Sequence, residues 1–205
     1  MNPKHILMNP NPNLQSTINE QNGQPSTRIK ANDLTGGAAK LSEPIIPLEE
    51  LERLPLTHRQ TIPESYLDAM GHMNISWYMA LYNDATWRFG AMLGMDAAYF
   101  RRERTGAFAL QQFVRYLAEV RVGQSVAIYT RLLGRSAKRL HVMHFMVNES
   151  QGTLASTLEM LGGHMDLTVR RMAPFPPDIA GRLDALVAHH AELDWEAPIC
   201  GVIQA

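Results

Sequence analysis

The chain has 205 residues, 45% of them hydrophobic and 19% charged, with a formal net charge of -1. That length and apolar content suffice for one domain with a sizeable core, and the near-neutral balance excludes a general nucleic-acid binder, whose surface would be visibly basic. The single cysteine, Cys200, cannot form an internal disulfide and fits a reducing, cytoplasmic setting, while no apolar run approaches the ~20 residues of a membrane-spanning helix and the first segment lacks the apolar core of a signal peptide.

Residues 1–42 are rich in Asn, Gln, Pro, Ser and Thr, lack aromatic residues and show no period, which predicts a disordered tail. The domain is expected over 43–193, with 194–205 as a C-terminal tail. Leu48 to Glu52, after Pro47, reads as one short helical turn, and Leu56 to Ile62, bounded by Pro55 and Pro63, as the first strand. Ile75, Tyr78, Met79, Tyr82, Ala85, Phe89 and Leu93 then recur at helical spacing. This predicts a long helix with Asn74 as N-cap and Gly90 or Gly94 at its end. Its other face, with Trp77, Leu81, Trp87 and Met92, is apolar enough to predict cover on most sides. Met95 to Arg102 forms a small extra helix beside a basic cluster, Arg101, Arg102 and Arg104.

From Gly106 the period becomes two. Phe108, Leu110, Gln112, Val114 and Tyr116 share one face of a strand, with Ala109, Gln111, Phe113 and Arg115 on the other, both partly buried. Val126, Ile128, Thr130 and Leu132 alternate along the next strand, and 134–138 reverses the chain. Leu140, Val142, His144 and Met146 share a face of the third strand, Thr153 to Asp166 returns as the fourth, and Leu167 to Met172 finishes the sheet. Asp178 caps a last helix carrying Ile179, Leu183, Leu186, Val187 and His190. Strands joined by short turns pair antiparallel, and one long apolar helix precedes them, so the fold class is α+β, a sheet bent around that helix.

Asp68 is a carboxylate a short loop ahead of a helix start, where unpaired N-H groups favour negative charge, and Gly71 lets the backbone turn tightly there. An acid beside free amide donors can attack a carbonyl or activate water while the donors hold the oxyanion. Asp68 also suits a plain turn cap, His72 either stiffens the loop or transfers protons, and Asn74 fits a cap.

The string Asp68-Ala69-Met70-Gly71-His72-Met73-Asn74, with Tyr78 one turn on, resembles the signature of hotdog-fold acyl-CoA thioesterases of the 4-hydroxybenzoyl-CoA thioesterase type, over roughly Leu54 to Met172. The resemblance implies hydrolysis of an acyl-CoA to free acid and coenzyme A. It implies Asp68 as nucleophile or general base, the N-H of Ile75 or its neighbour on the thioester carbonyl, and His72 and Asn74 shaping the site. Many members carry Asn where this chain has Ile75, and an acid where it has Asn83. Sheets of the family pair edge to edge, so a homodimer or homotetramer with sites between subunits is implied.

Trp77, Tyr78 and Tyr82, with Gln112 and Tyr116 on the neighbouring strand, are the candidate acyl-group contacts. Their rings suit an aryl or short acyl group, or a quaternary ammonium, and there is similarity to betainyl-CoA thioesterases. Coenzyme A carries a diphosphate and a further phosphate, so Arg135, Ser136, Lys138 and Arg139 are its candidate contacts. Beyond the coenzyme A of the substrate no cofactor is implied. His141 and His144 differ in strand parity and His189 and His190 diverge on a helix, so no pair has metal-ligand spacing. A Gly-x-Ser-x-Gly elbow and a phosphate-binding Gly-rich loop are both missing from the sequence. The alternatives are an acyl-carrier-protein thioesterase docking through Arg101 to Arg104, and a noncatalytic acyl-CoA-binding module.

Overall fold

The computed structural model describes residues 46–205; the tail expected over 1–42 lies outside them. Its elements are α1 (Leu48–Leu51), β1 (Leu56–Thr61), a 3-10 turn (Glu64–Tyr66), α2 (Ile75–Met92), α3 (Ala97–Glu103), β2 (Thr105–Tyr116), β3 (Ser125–Arg135), β4 (Arg139–Asn148), β5 (Thr153–Asp166), β6 (Arg171–Met172) and α4 (Pro177–Ala191). The sheet is antiparallel throughout, in the order β1-β3-β4-β5-β2, with β6 also paired to β5.

The stripe on α2 buries Tyr78, Leu81, Tyr82, Ala85 and Phe89. The first part of this helix packs with Val126, Ile128, Met146, Ala155 and Leu158 of the sheet. Its last turn joins Leu132, Val142, Phe175 and the α4 residues Ile179 and Leu183. The opposite face of the sheet, Ala127, Tyr129, Met143, Phe145 and Val147, is covered by Leu51, Leu54 and the C-terminal Trp195 and Ala197. Residues from 194 onward form no helix or strand, yet Trp195 stands edge-on to Phe145 and Ile203 is buried. Arg131, buried between β3 and this segment, donates to the carbonyls of Trp195 (2.8 Å) and His190 (3.0 Å).

A polar chain crosses the core. Thr57 Oγ1 lies 2.7 Å from Thr130 Oγ1, which lies 2.8 Å from His144 Nδ1, and His144 Nε2 lies 3.1 Å from Thr86 Oγ1 on α2. Hydrogen bonds inside an apolar layer are directional where apolar packing is not, so this chain fixes the rotation of α2 over the sheet. As parity predicts, His141 is on the other face, where its Nε2 meets Glu159 Oε1 at 2.8 Å.

Four expectations are corrected. Trp87 and Met92 on the other face of α2, and Ile75 at the start of its stripe, are exposed, with nothing among the described residues covering them. β2 is an edge strand whose residues 107–112 are exposed instead of partly buried. Its alternation is also broken, since the register skips Leu110 between Ala109↔Gly162 and Gln111↔Leu161. Ala109 therefore shares the α2-facing side with Gln112, Val114 and Tyr116, and Phe108 pairs with Gly163 on the other. Last, α4 starts with Pro176 as N-cap and Pro177 inside, so Asp178 sits in the first turn, where it accepts from Arg182. Among the described residues no helix is long and apolar enough to cross a membrane.

Candidate active site

The segment ahead of α2 is a tight double reversal. Leu67 and Met73 bridge antiparallel, the Asp68 N-H donates to the His72 carbonyl (3.0 Å), and the Gly71 N-H returns to the Asp68 carbonyl (3.1 Å). Gly71 takes φ +83, a region that a side chain strongly disfavours, although a Cβ there would meet open space. Backbone conformation, not crowding, calls for glycine. The loop is tied to the helix by the Asn74 N-H on the Tyr66 carbonyl (2.9 Å) and by Tyr66 stacked on Trp77 with ring centroids 3.7 Å apart. It is tied to the sheet side by the Met73 N-H on the Val120 carbonyl (2.7 Å).

The Asp68 side chain is 18% accessible. Its Oδ1 accepts the Met70 N-H at 2.9 Å, while Oδ2 faces His72 Nδ1 at 3.5 Å. One oxygen is thus anchored and the other is left for chemistry. Asn74 caps α2, its Oδ1 accepting from the Ser76 N-H (2.9 Å) and the Ser76 hydroxyl (2.7 Å). The next amide, that of Ile75, has no backbone acceptor among the described residues. Asp68 and His72 thus meet in the turn that leads into α2, and Asn74 and Ile75 form the start of that helix.

The acyl-contact candidates divide. Tyr82 and Gln112 line a cavity of about 250 Å3, whereas Trp77, Tyr78 and Tyr116 do not. Trp77 is taken up by Tyr66. Tyr78 is buried edge-on to Tyr116 (5.1 Å), and burial pushes its hydroxyl up to about 12. The cavity begins at Met79, one turn into α2, and runs to Gly90; β2, β4, β5 and α3 close it, with Thr86, Trp87, Phe100, Phe108 and Phe175 on its walls. His164 is its buried polar corner. Its Nε2 meets the Tyr99 hydroxyl at 3.0 Å and its Nδ1 meets the Ala173 carbonyl at 3.0 Å, which requires the proton on Nδ1 and leaves Nε2 accepting. Sequence reading missed α3, His164 and Phe175 as wall residues. The only signal was an unusual pattern, a His following two glycines and a Phe between prolines.

The coenzyme A candidates divide as well. Arg135 is bidentate on Asp184 of α4, through Nε to Oδ1 (2.7 Å) and a second nitrogen to Oδ2. Ser136 closes the β3–β4 hairpin onto Arg139. Lys138 and Arg139 are exposed and have no carboxylate within ion-pair reach among the described residues.

A family model for the thioesterase-like superfamily matches residues 63–183. The betainyl-CoA thioesterase of Pseudomonas aeruginosa is 28% identical over 137 residues, 67% of this chain and 86% of that protein. The L-carnitine dehydrogenase/betainyl-CoA thioesterase of Agrobacterium fabrum is 34% identical over 131 residues, which is 64% of this chain and 27% of that protein, so the chain spans about a quarter of the fused relative. Among solved structures, a putative thioesterase from Pseudomonas putida aligns with TM-score 0.62 and 26% identity, covering 74% of this chain and 96% of that one. A Staphylococcus aureus protein in complex with CoA aligns with TM-score 0.67 at 24% identity over 74% of this chain and 96% of its own, a likeness of fold. With the sheet curled over α2 and the Asp68 turn at the head of that helix, the family match places the chain plainly: it belongs to the thioesterase-like superfamily of hotdog proteins.

Proposed function

We propose that the protein is a cytoplasmic acyl-CoA thioesterase that works as a homodimer, with Asp68 of one subunit acting on an acyl group held in the cavity of the other. The supporting observation is the half-anchored Asp68 carboxylate in the turn that leads into α2, at whose head the Ile75 N-H has no backbone acceptor among the described residues. The thioester oxygen takes a hydrogen bond from that N-H, and Asp68 Oδ2 takes a proton from water as the water oxygen adds to the carbonyl carbon. The C–S bond then breaks, and the proton held by Asp68 passes to the departing thiolate.

The dimer follows from β2. Among the described residues its outer edge is unpaired and exposes Phe108, Leu110 and Tyr116, a strand edge that needs cover. Ala107, Ala109 and Gln112 border the cavity, whereas Tyr116, roughly 13 Å beyond Gln112 and roughly 30 Å beyond Ala107 along the strand, touches Tyr78 in the first turn of α2. Antiparallel pairing of two β2 edges across a two-fold axis sets the cavity end of one subunit beside the Asp68 end of the other. The acyl group is small and apolar or aromatic. The betainyl group named in the relatives, small but cationic, is a second candidate to test, since aromatic walls attract quaternary ammonium.

Free-thiol release from aryl, medium-chain and betainyl thioesters of coenzyme A tests the proposal, with Asp68→Asn alongside. Turnover by the parent and a loss of at least about 100-fold in the variant are expected. A folded variant as active as the parent overturns the role of Asp68.

A further inference from the structure

The exposed cations of this protein are not distributed evenly with respect to their partners. Elsewhere most are paired, Arg53 with Glu50, Arg59 with Glu149, Arg121 with Glu119, Arg135 with Asp184 and Arg182 with Asp178, while Arg88 on α2 is exposed with no carboxylate within 4.0 Å among the described residues. At one end of the sheet the pattern reverses. Arg101, Arg104, Lys138, Arg139, Arg170 and Arg171 are all exposed, and none has a carboxylate within 4.0 Å among the described residues. The acids of the same segments are already engaged. Glu103 holds Arg102, and Asp166 Oδ1 accepts the N-H groups of Thr168 (2.7 Å) and Val169 (3.2 Å), although the Asp166 charge also lies near Arg104, beyond ion-pair distance.

The backbone brings these six together. Asp166 pairs with Thr105, next to Arg104, on one side and with Arg171 on the other. The Leu167 N-H donates to the Arg104 carbonyl (2.9 Å), and the His164 N-H to the Lys138 carbonyl (2.9 Å). Arg139 pairs with Gly163. Each cation thus lies within a few residues of a cavity-wall residue: Phe100, Ala107, Gly163 or His164. Arg104 and Arg170 also share a second feature: both take φ 53, and they are the only non-glycine residues with positive φ among those described. Glycine would adopt that conformation without penalty. Arg104 takes it as the left-handed C-cap of α3 and Arg170 in the turn before β6, so at both places an arginine stands where glycine is the easier residue.

We propose that this arc, centred on Arg104, Arg170 and Arg171 with Lys138 and Arg139 facing them, binds the phosphoryl groups of the coenzyme A whose acyl end enters the cavity. The proposal rests on the acyl-CoA reading above and moves the phosphate contact away from Arg135, whose guanidinium is occupied by Asp184. The adjoining turn exposes Leu167 and Val169, apolar surface on which a nucleobase can lie. Unpaired guanidinium groups are suited to this, because each offers a planar fork of donors to a phosphate and gives up no existing ion pair.

The test compares an acyl-CoA with the same acyl group on pantetheine, which carries no phosphate, in the parent and in Arg104→Gln/Arg170→Gln/Arg171→Gln. The triple variant is expected to raise KM for the acyl-CoA on the order of 10- to 100-fold, with Arg135→Gln within about twofold of the parent. Its preference for acyl-CoA over acyl-pantetheine should collapse, and rising salt should erode that preference in the parent. Calorimetric titration of coenzyme A and 3′-dephospho-coenzyme A into both proteins reads the site without turnover. If the parent cleaves neither thioester, the thioesterase reading falls while weaker coenzyme A binding by the variant still supports the arc. Unchanged coenzyme A affinity and KM in a variant that melts like the parent overturn it. So does a variant whose KM rises only for an acylated carrier protein, which makes the arc a docking face for an acidic protein.

Discussion

Acid should destabilise this protein earlier and more steeply than its carboxylates require, because the core holds histidines in the neutral form. His144 is fully buried between Thr130 and Thr86, and burial lowers it from 6.5 to about 3. Burial, aided by the nearby His189 and Arg131 charges, lowers His190 to about 4, and its Nδ1 accepts the Leu132 N-H at 2.9 Å. A histidine with a depressed folded pKa stabilises fully above its unfolded value of 6.5, and loses that stabilisation as the pH falls toward the folded value. Between pH 7.5 and pH 5 the unfolded chain gains nearly a full proton at each site while the folded chain gains almost none. At 1.36 kcal/mol per pH unit below 6.5, each residue forfeits about 2 kcal/mol by pH 5, together about 4 kcal/mol. That is a large share of a typical domain stability of ~5–15 kcal/mol. Urea unfolding at pH 7.5, 6.5, 5.5 and 5 measures it, with a midpoint drop on the order of 2 M. His144→Gln keeps a donor and an acceptor toward the two threonines but does not titrate, so its stability relative to the parent should rise by about 2 kcal/mol over this range. A parent–variant difference that is constant from pH 7.5 to pH 5 refutes the reasoning, whatever the absolute cost of the substitution.

Two further outcomes are expected. Gly94 ends α2 at φ +89, and a Cβ there would run into the Arg182 guanidinium that donates to the Leu93 carbonyl (3.0 Å). Gly94→Ala should cost about 1–2 kcal/mol from the left-handed backbone alone, and thermal melting of Gly94→Ala with and without Arg182→Ala separates that cost from the clash. Gly162 borders the cavity, and its added Cβ would find nothing nearer than 3.9 Å. Gly162→Val should therefore fold while narrowing a space of about 250 Å3, shifting kcat/KM toward shorter acyl groups by about 10-fold or more; an unchanged chain-length profile rules out this cavity as the acyl site.

Much of the fold was legible because apolar period is a local property. The stripe Tyr78, Tyr82, Ala85 and Phe89 and the α2-facing Val126, Ile128, Val142 and Met146 needed no long-range information. The failures all involve something one segment cannot encode. The bulge at Leu110 reverses strand parity without any glycine or proline to mark it. Exposure of β2 reflects a missing neighbour, and its apolar residues read the same whether covered by this chain or by another. Arg135 looked available because its partner Asp184 lies 49 residues away. For the site, the Asp68 to Asn74 string was legible because turn and cap chemistry are contiguous. The cavity was not, since its walls come from α2, α3, β2, β4, β5 and the loop carrying Phe175.

The proposed division of the site between subunits makes one quantitative demand. If each centre joins Asp68 of one subunit to the cavity of its partner, two different inactive proteins can repair each other. Take Asp68→Asn, which lacks the acid, and Gly162→Trp, whose indole fills the cavity beside β2. In a mixed dimer one centre combines the Asn with the filled cavity and is dead. The other combines the intact Asp68 of the Gly162→Trp subunit with the open cavity of the Asp68→Asn subunit and is whole. Random reassortment of equal amounts makes about half of all dimers mixed, each with one working centre of two, so about a quarter of the parent activity should return. Centres lying within single subunits would return none, since every mixed dimer would then carry one lesion per centre. Unfolding and refolding the two proteins together, against each refolded alone, decides between the two arrangements. The result depends only on which β2 edge the cavity shares with which α2 terminus, and not on the identity of the acyl group.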